Sequence, residues 1–160
     1  HRLINDTSAL LDGFKIELGY GIGDGFEKAA EQGNSESEGW LAFCKGNMYG
    51  HGHGVKKDLK EAAKWYAKAA EQNHAAAQCN LAYCYQYGEG AWKNLKRAVK
   101  WYTKASEQGH AGAQNNLGIC YDDGEGVAKS EERAVEWWRK AAKQGNKHSQ
   151  DSLRKRGLAW

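Results

Sequence analysis

The string Ala69-Ala70-Glu71-Gln72-Asn73 returns as Ala105-Ser106-Glu107-Gln108-Gly109 and again as Ala141-Ala142-Lys143-Gln144-Gly145, each time after 36 residues. Such self-similarity confines the fold to a stack of like units. One unit is too small to bury its own apolar face, so its neighbours must cover it. An earlier copy, Ala29-Ala30-Glu31-Gln32-Gly33, lies 40 residues before the next. The longer step is assigned to extra residues around Gly50-His51-Gly52-His53-Gly54-Val55, a lengthened loop in the first unit. That alignment puts Lys45 where Tyr85 and Tyr121 stand.

Each unit divides into two helices. Asp58, Asn94 and Ser130 share one repeat position and are good N-caps, because a side-chain oxygen accepts from the free amides of the first turn. Glu61, three residues after Asp58, completes a capping box. From each cap an apolar stripe steps by three and four residues: Ala62-Trp65-Tyr66-Ala69, Ala98-Trp101-Tyr102-Ala105, Ala134-Trp137-Trp138-Ala141. Gly109 and Gly145, with Asn73 as a tolerated substitute, supply left-handed stops. The first helix of a unit carries Ala77-Leu81-Cys84-Tyr85 and Ala113-Leu117-Cys120-Tyr121, where small alanines let helices approach closely. Breaks at Gly88 and Gly124 end it.

The fold expected is all-α, an alpha-solenoid of helix-turn-helix repeats. Residues 1–160 form one repeat domain. A degenerate capping unit spans 6–32, full repeats span 33–72, 73–108 and 109–144, and a capping helix spans 145–160. Leu10, Leu11, Phe14 and Leu18 give the first cap its apolar stripe, while Arg154-Lys155-Arg156 makes the last one polar, as an exposed solenoid end requires. The chain opens on His1 without an initiator methionine, as an excised or processed piece of a longer product does.

The run Gly109-His110-Ala111-x-Ala113-Gln114-x-x-Leu117-Gly118-x-x-Tyr121-x-x-Gly124-x-Gly126-Val127, followed by Ala134-x-x-Trp137-Trp138-x-Lys140-Ala141-Ala142-x-Gln144-Gly145, resembles the Sel-one-like repeat branch of the tetratricopeptide-like solenoids. The likeness covers roughly residues 33 to 153. It implies a right-handed alpha-solenoid wound as a tetratricopeptide-like superhelix, and an adaptor or scaffold without catalysis by the repeat itself.

Composition narrows the function classes. Hydrophobic residues make up 41%, charged ones 27%, and proline is absent. No window approaches the ~18 apolar residues of a membrane-spanning helix. Acids and bases are interspersed around a net charge of +3, which argues against a nucleic-acid binder. No membrane or nucleic-acid partner, cofactor or metal is expected.

Candidate chemistry fares poorly. His51 and His53 could bind zinc or copper, but a site needs three or four ligands and nothing nearby in sequence supplies them. His74 and His110 precede helices, where capping or packing is the expected role. No nucleophile–base constellation or phosphate loop is present. Cys44, Cys84 and Cys120 are aligned at one repeat position. Stacking about 8–10 Å apart, they exceed disulfide reach and are expected to be buried thiols. Cys79 falls on another face and is expected to be accessible. Reduced thiols point to a cytoplasmic setting.

A partner is therefore expected on the first helices, which line the concave side of such a solenoid. The stripe there reads Glu36, Trp40, Phe43, Asn47, then Ala76, Asn80, Tyr83, Tyr87, then Gly112, Asn116, Ile119, Asp123. It varies between units while core positions repeat. Asparagines suit an extended peptide backbone and the aromatics suit hot spots; for Phe43 and Tyr83, packing along the stack is the competing role. Trp92, in a Gly-rich loop, is a separate edge contact. The expected function is a non-catalytic adaptor binding a peptide or protein domain in its concave groove. The alternatives are a dedicated inhibitor of immunity type, a metal-dependent enzyme around His51 and His53, and a regulatory piece of a larger chain.

Overall fold

The computed structural model describes residues 35–160 together with Gly33; the expected capping unit over 6–32 lies outside the described residues. The described chain is helical throughout, with no strand: α1 (Ser35–His51), α2 (Leu59–Glu71), α3 (Ala75–Tyr87), α4 (Leu95–Glu107), α5 (Ala111–Asp123), α6 (Glu131–Lys143) and α7 (Lys147–Lys155). Each helix packs on its neighbours in the chain, so the α1/α2, α3/α4 and α5/α6 hairpins stack in one row and α7 closes the end.

The second helix of each unit starts as its cap dictates. Asp58, Asn94 and Ser130 are extended and accept from the amides of Glu61, Arg97 and Arg133, caps worth about 1 kcal/mol each. The capping box does not form. The Asp58 N–H already donates to the Tyr49 carbonyl at 2.9 Å, and Glu61 pairs with Lys64 instead. Asn94 and Ser130 donate in the same way to Tyr85 and Tyr121, so the cap also ties the two helices of a hairpin.

Those three bonds fix the register and correct the alignment of the first unit. Tyr49, not Lys45, holds the place of Tyr85 and Tyr121. The loops from Gly52, Gly88 and Gly124 to the caps are equal in length, with matching left-handed glycines. The four additional residues lie at the start of α1, which has 17 residues where α3 and α5 have 13. Met48 is accordingly the counterpart of Cys84 and Cys120, and Cys44 of Asn80 and Asn116.

The core repeats in this register. Tyr66, Tyr102 and Trp138 are buried between hairpins, framed by Ala62, Ala98 and Ala134 and by Leu81, Leu117 and Leu153. Each buried leucine contributes about 1.5–3 kcal/mol. A glutamine relay crosses the unit boundaries. Gln108 Nε2 donates to Gln78 Oε1 at 2.7 Å and Gln144 to Gln114 at 2.9 Å, while Gln78 and Gln114 donate back to the Ala70 and Ser106 carbonyls. Buried amides are tolerable there because their hydrogen bonds are made.

All four cysteines are reduced and buried, including Cys79, which is 9% exposed and lies among Ala98, Tyr102 and Ala113. Its expected accessibility is wrong because the face it occupies is covered by α4 and α5. Burial pushes the thiols up, to about 11 for Cys44 and Cys84 and about 12 for Cys79 and Cys120. At the other end, Arg156 does more than solubilise. It lies over the Trp138 ring at 4.6 Å and donates to Asp122 at 2.7 Å.

Candidate interaction surface

In the corrected register, Asn47, Tyr83 and Ile119 are equivalent, and so are His51, Tyr87 and Asp123. Tyr83 and Tyr87 sit one turn apart on α3, 44% and 57% exposed, with ring centroids 4.4 Å apart. Ile119 and Asp123 are exposed on α5, and Glu36 is exposed at the start of α1. Burial raises the Tyr87 hydroxyl above its ordinary value, aided by Tyr83 and by Glu125 of the next loop. Gln86 donates to that same Glu125 at 3.1 Å.

A cavity of about 290 Å³ opens beside this pair, lined in part by His51, Tyr66, Asn80, Tyr83 and Glu89. His51 is the residue that sequence reasoning passed over. Its sequence context suggests only a metal ligand, yet the 36-residue register puts it in line with Tyr87. It stacks on His53 with centroids 5.5 Å apart. Among the described residues, no cluster of three or more His, Cys, Asp or Glu side chains could hold a metal.

Other expected contact residues have internal partners. Trp40 and Phe43 are half-buried and pack around His74, the Phe43 ring stacked on it at 4.5 Å. Tyr66 Oη donates to Asn47 Oδ1 at 2.9 Å and also meets Asn80 from the next unit. Tyr102 meets Asn116 in the same way, but within its own hairpin it donates to Gln86, which stands at the place of Gly50 and not of Asn47. Burial pushes the Tyr66 hydroxyl up to about 12. Asn80 and Asn116 therefore tie a unit to the one before it. Their side chains remain half-exposed, with capacity for a further bond.

His74 and His110 are N-caps, as expected of their place. Each Nδ1 accepts from the amide three residues on, Ala77 at 3.2 Å and Ala113 at 3.1 Å. An acceptor nitrogen requires the neutral ring, and burial lowers both pKa values accordingly. Asn146 performs the same role for α7.

Trp92 stands apart from this surface. It is 95% exposed on the loop between α3 and α4 and borders a second, larger cavity against α2.

The Sel1 repeat model matches residues 26–34, 37–74, 75–110 and 111–146, most of the chain. The chain belongs to the Sel1 repeat family. Among solved structures it is similar to a Sel1 repeat protein from Oxalobacter formigenes, at 33% identity and a TM-score of 0.68, covering 81% of this chain and 95% of that one. It also resembles a protective antigen of uropathogenic Escherichia coli strains displaying an SLR fold, at 35% identity and a TM-score of 0.74. That likeness covers 96% of this chain but only 34% of the antigen. The fold extends to Helicobacter pylori cysteine rich protein B, at 23% identity and a TM-score of 0.60, over 84% of this chain and 99% of that one. No curated protein matches. Sel1 repeat proteins are in general non-catalytic scaffolds that bind other proteins. No helix of the described residues is long and apolar enough to cross a membrane.

Proposed function

We propose that this Sel1 repeat protein is a non-catalytic adaptor whose first-helix face binds a peptide or domain of another protein. The observation that carries the reading is the Tyr83–Tyr87 pair. Two large aromatics are left half-exposed beside a cavity, on a helix whose other large side chains are used in packing. Tyrosine brings a wide contact area with little rotamer entropy, and it is enriched where interfaces concentrate their energy. Asn80 at the cavity wall offers the polar contact that would orient a bound backbone. Ile119 extends the apolar surface into the next unit, and Asp123 and Glu125 give that end an acidic rim.

The test is capture from the source lysate by the wild-type chain and by Tyr83→Ala/Tyr87→Ala, with circular dichroism confirming that both are equally helical. Partners held by wild type should be lost or weakened about 30-fold by the double substitution, the scale of a hot-spot truncation of 2 kcal/mol. Retention of the same partners at unchanged affinity would remove the first-helix face from consideration.

A further inference from the structure

The larger cavity, about 940 Å³, lies between α2 and the loop that carries Trp92, across Leu59 from the smaller one, which Leu59 also lines. Its origin is a set of small residues at one junction. Ala63, Ala67 and Ala91 face it, where the next junction has Val99, Thr103 and Val127. Val99 and Val127 are partly buried against the core of their own junction. The alanines leave that space open, and the floor is completed by Leu81 and Tyr85.

The wall is firmly placed. Gly90 is left-handed at φ +75° and lies so close to α2 that a Cβ on it would stand 1.9 Å from the Leu59 carbonyl oxygen. The loop is also held by Gly88 and Glu89 donating to the Cys84 carbonyl and Asn94 to that of Tyr85. A rigid loop thus presents an indole that is almost wholly in water, where the other units have Lys56 and Ala128.

The rim is basic. Lys57, Lys60 and Lys64 line the cavity, and the lining carboxylate, Asp58, is engaged in capping α2. Lys64 pairs with Glu61 at 3.1 Å, while Lys57 and Lys60 make no ion pair among the described residues. The basic rim is not common to every unit, since α6 has Glu132 and Glu136 where α2 has Lys60 and Lys64.

From this charge and shape we infer a second docking site, independent of the Tyr83–Tyr87 face, for an acidic peptide segment of a partner protein that carries one large apolar anchor. The anchor enters the alanine-lined space against Trp92, and flanking carboxylates meet Lys57 and Lys60. The lysine rim makes binding fall with salt, because exposed charge pairs are screened.

The probe is a random phage-displayed peptide library, panned on the full chain carrying Tyr83→Ala/Tyr87→Ala so that the first face is disabled. A parallel selection uses the same chain with Ala63→Val, Ala67→Thr and Ala91→Val. These are the residues of the next junction, so the filled chain is expected to fold with a melting temperature no lower than its parent. The open chain should enrich peptides with aspartate or glutamate flanking a single Leu, Phe or Trp. Their affinity should weaken about tenfold or more in the filled chain and in Trp92→Ala, a difference of about 1.4 kcal/mol. The proposal is overturned by equal enrichment on open and filled chains, by no enrichment on either, or by a consensus lacking acidic residues. Self-association abolished by filling would likewise overturn it, assigning the groove to a second copy of the chain.

Discussion

The α2/α3 and α4/α5 junctions are built from the same repeat and packed differently. Both have a leucine, a tyrosine and a left-handed glycine loop in register, Leu81, Tyr85 and Gly90 in one, Leu117, Tyr121 and Gly126 in the other. The second adds Val99, Thr103 and Val127, and the first keeps alanine at all three places. Stability thus comes from the shared positions, while the variable ones decide whether a junction is filled or open. A repeat protein can change such positions one unit at a time, because each unit contacts only its neighbours.

The largest expected contrast is between the two leucines. Leu117→Ala removes a fully buried side chain from a filled junction and should cost about 3–5 kcal/mol. Leu81→Ala empties a site that already borders open space, and should cost about 2–3 kcal/mol, since less enclosed volume is created. Urea unfolding of both variants checks this, and equal losses would show that the junctions are not packed differently. Next in size is the exchange itself. Filling the first junction with Ala63→Val, Ala67→Thr and Ala91→Val should stabilise by about 1–2 kcal/mol, from partial burial of the added methyls. Val99→Ala with Val127→Ala should destabilise by a comparable amount. Loss of stability on filling would mean that the alanines accommodate close packing instead of leaving space.

A smaller effect separates the histidine caps from the asparagine cap. His74 and His110 have pKa values lowered by burial, for His74 with help from His110, so the unfolded chain takes up protons more readily. Their contribution is present above the ordinary value near 6.5 and is lost as pH falls through the lowered folded value. The melting temperature should decline from pH 7 to pH 5, and His74→Asn/His110→Asn, which copies Asn146, should decline less. Parallel decline in both proteins would remove the histidines as the cause. Smallest is the response of the cysteines. All four are buried with raised pKa values, so a thiol reagent should label the native chain slowly and the urea-unfolded chain fully. Rapid native labelling of Cys79 would restore its sequence-based reading as an accessible residue.

The fold was legible because the period was. Cap residues, alanine crossings and the Trp/Tyr stripe all return in step, and each has one physical reading. The slip of four residues in the first unit has an equally physical origin. Four residues turn an α-helix by about 400°, so an insertion inside α1 displaces the stripe by only about 40° and leaves the pattern looking intact. Cys44 then mimics Cys84 from the neighbouring turn, and His51 drops out of line with Tyr87. The exposed tyrosines could be read from their variation between units. The bond from Tyr66 to Asn47, and the approach of Asn80 and Asn116 to buried tyrosine hydroxyls, could not, because they depend on which helices cross. The groove was hidden for a further reason. Alanine in place of valine carries no signal until both are known to face the same junction.

The central claim is that the first-helix face and the Trp92 groove are working surfaces while the side of the second helices turned away from both is not. Photo-crosslinking in the source cell tests it directly, with a benzophenone amino acid placed singly at Tyr87, Trp92 and Lys104, all exposed. Crosslinked partners are predicted at Tyr87 and at Trp92, with Lys104 at the level of an unirradiated control. Crosslinking chiefly at Lys104, or uniformly at all three, would contradict it.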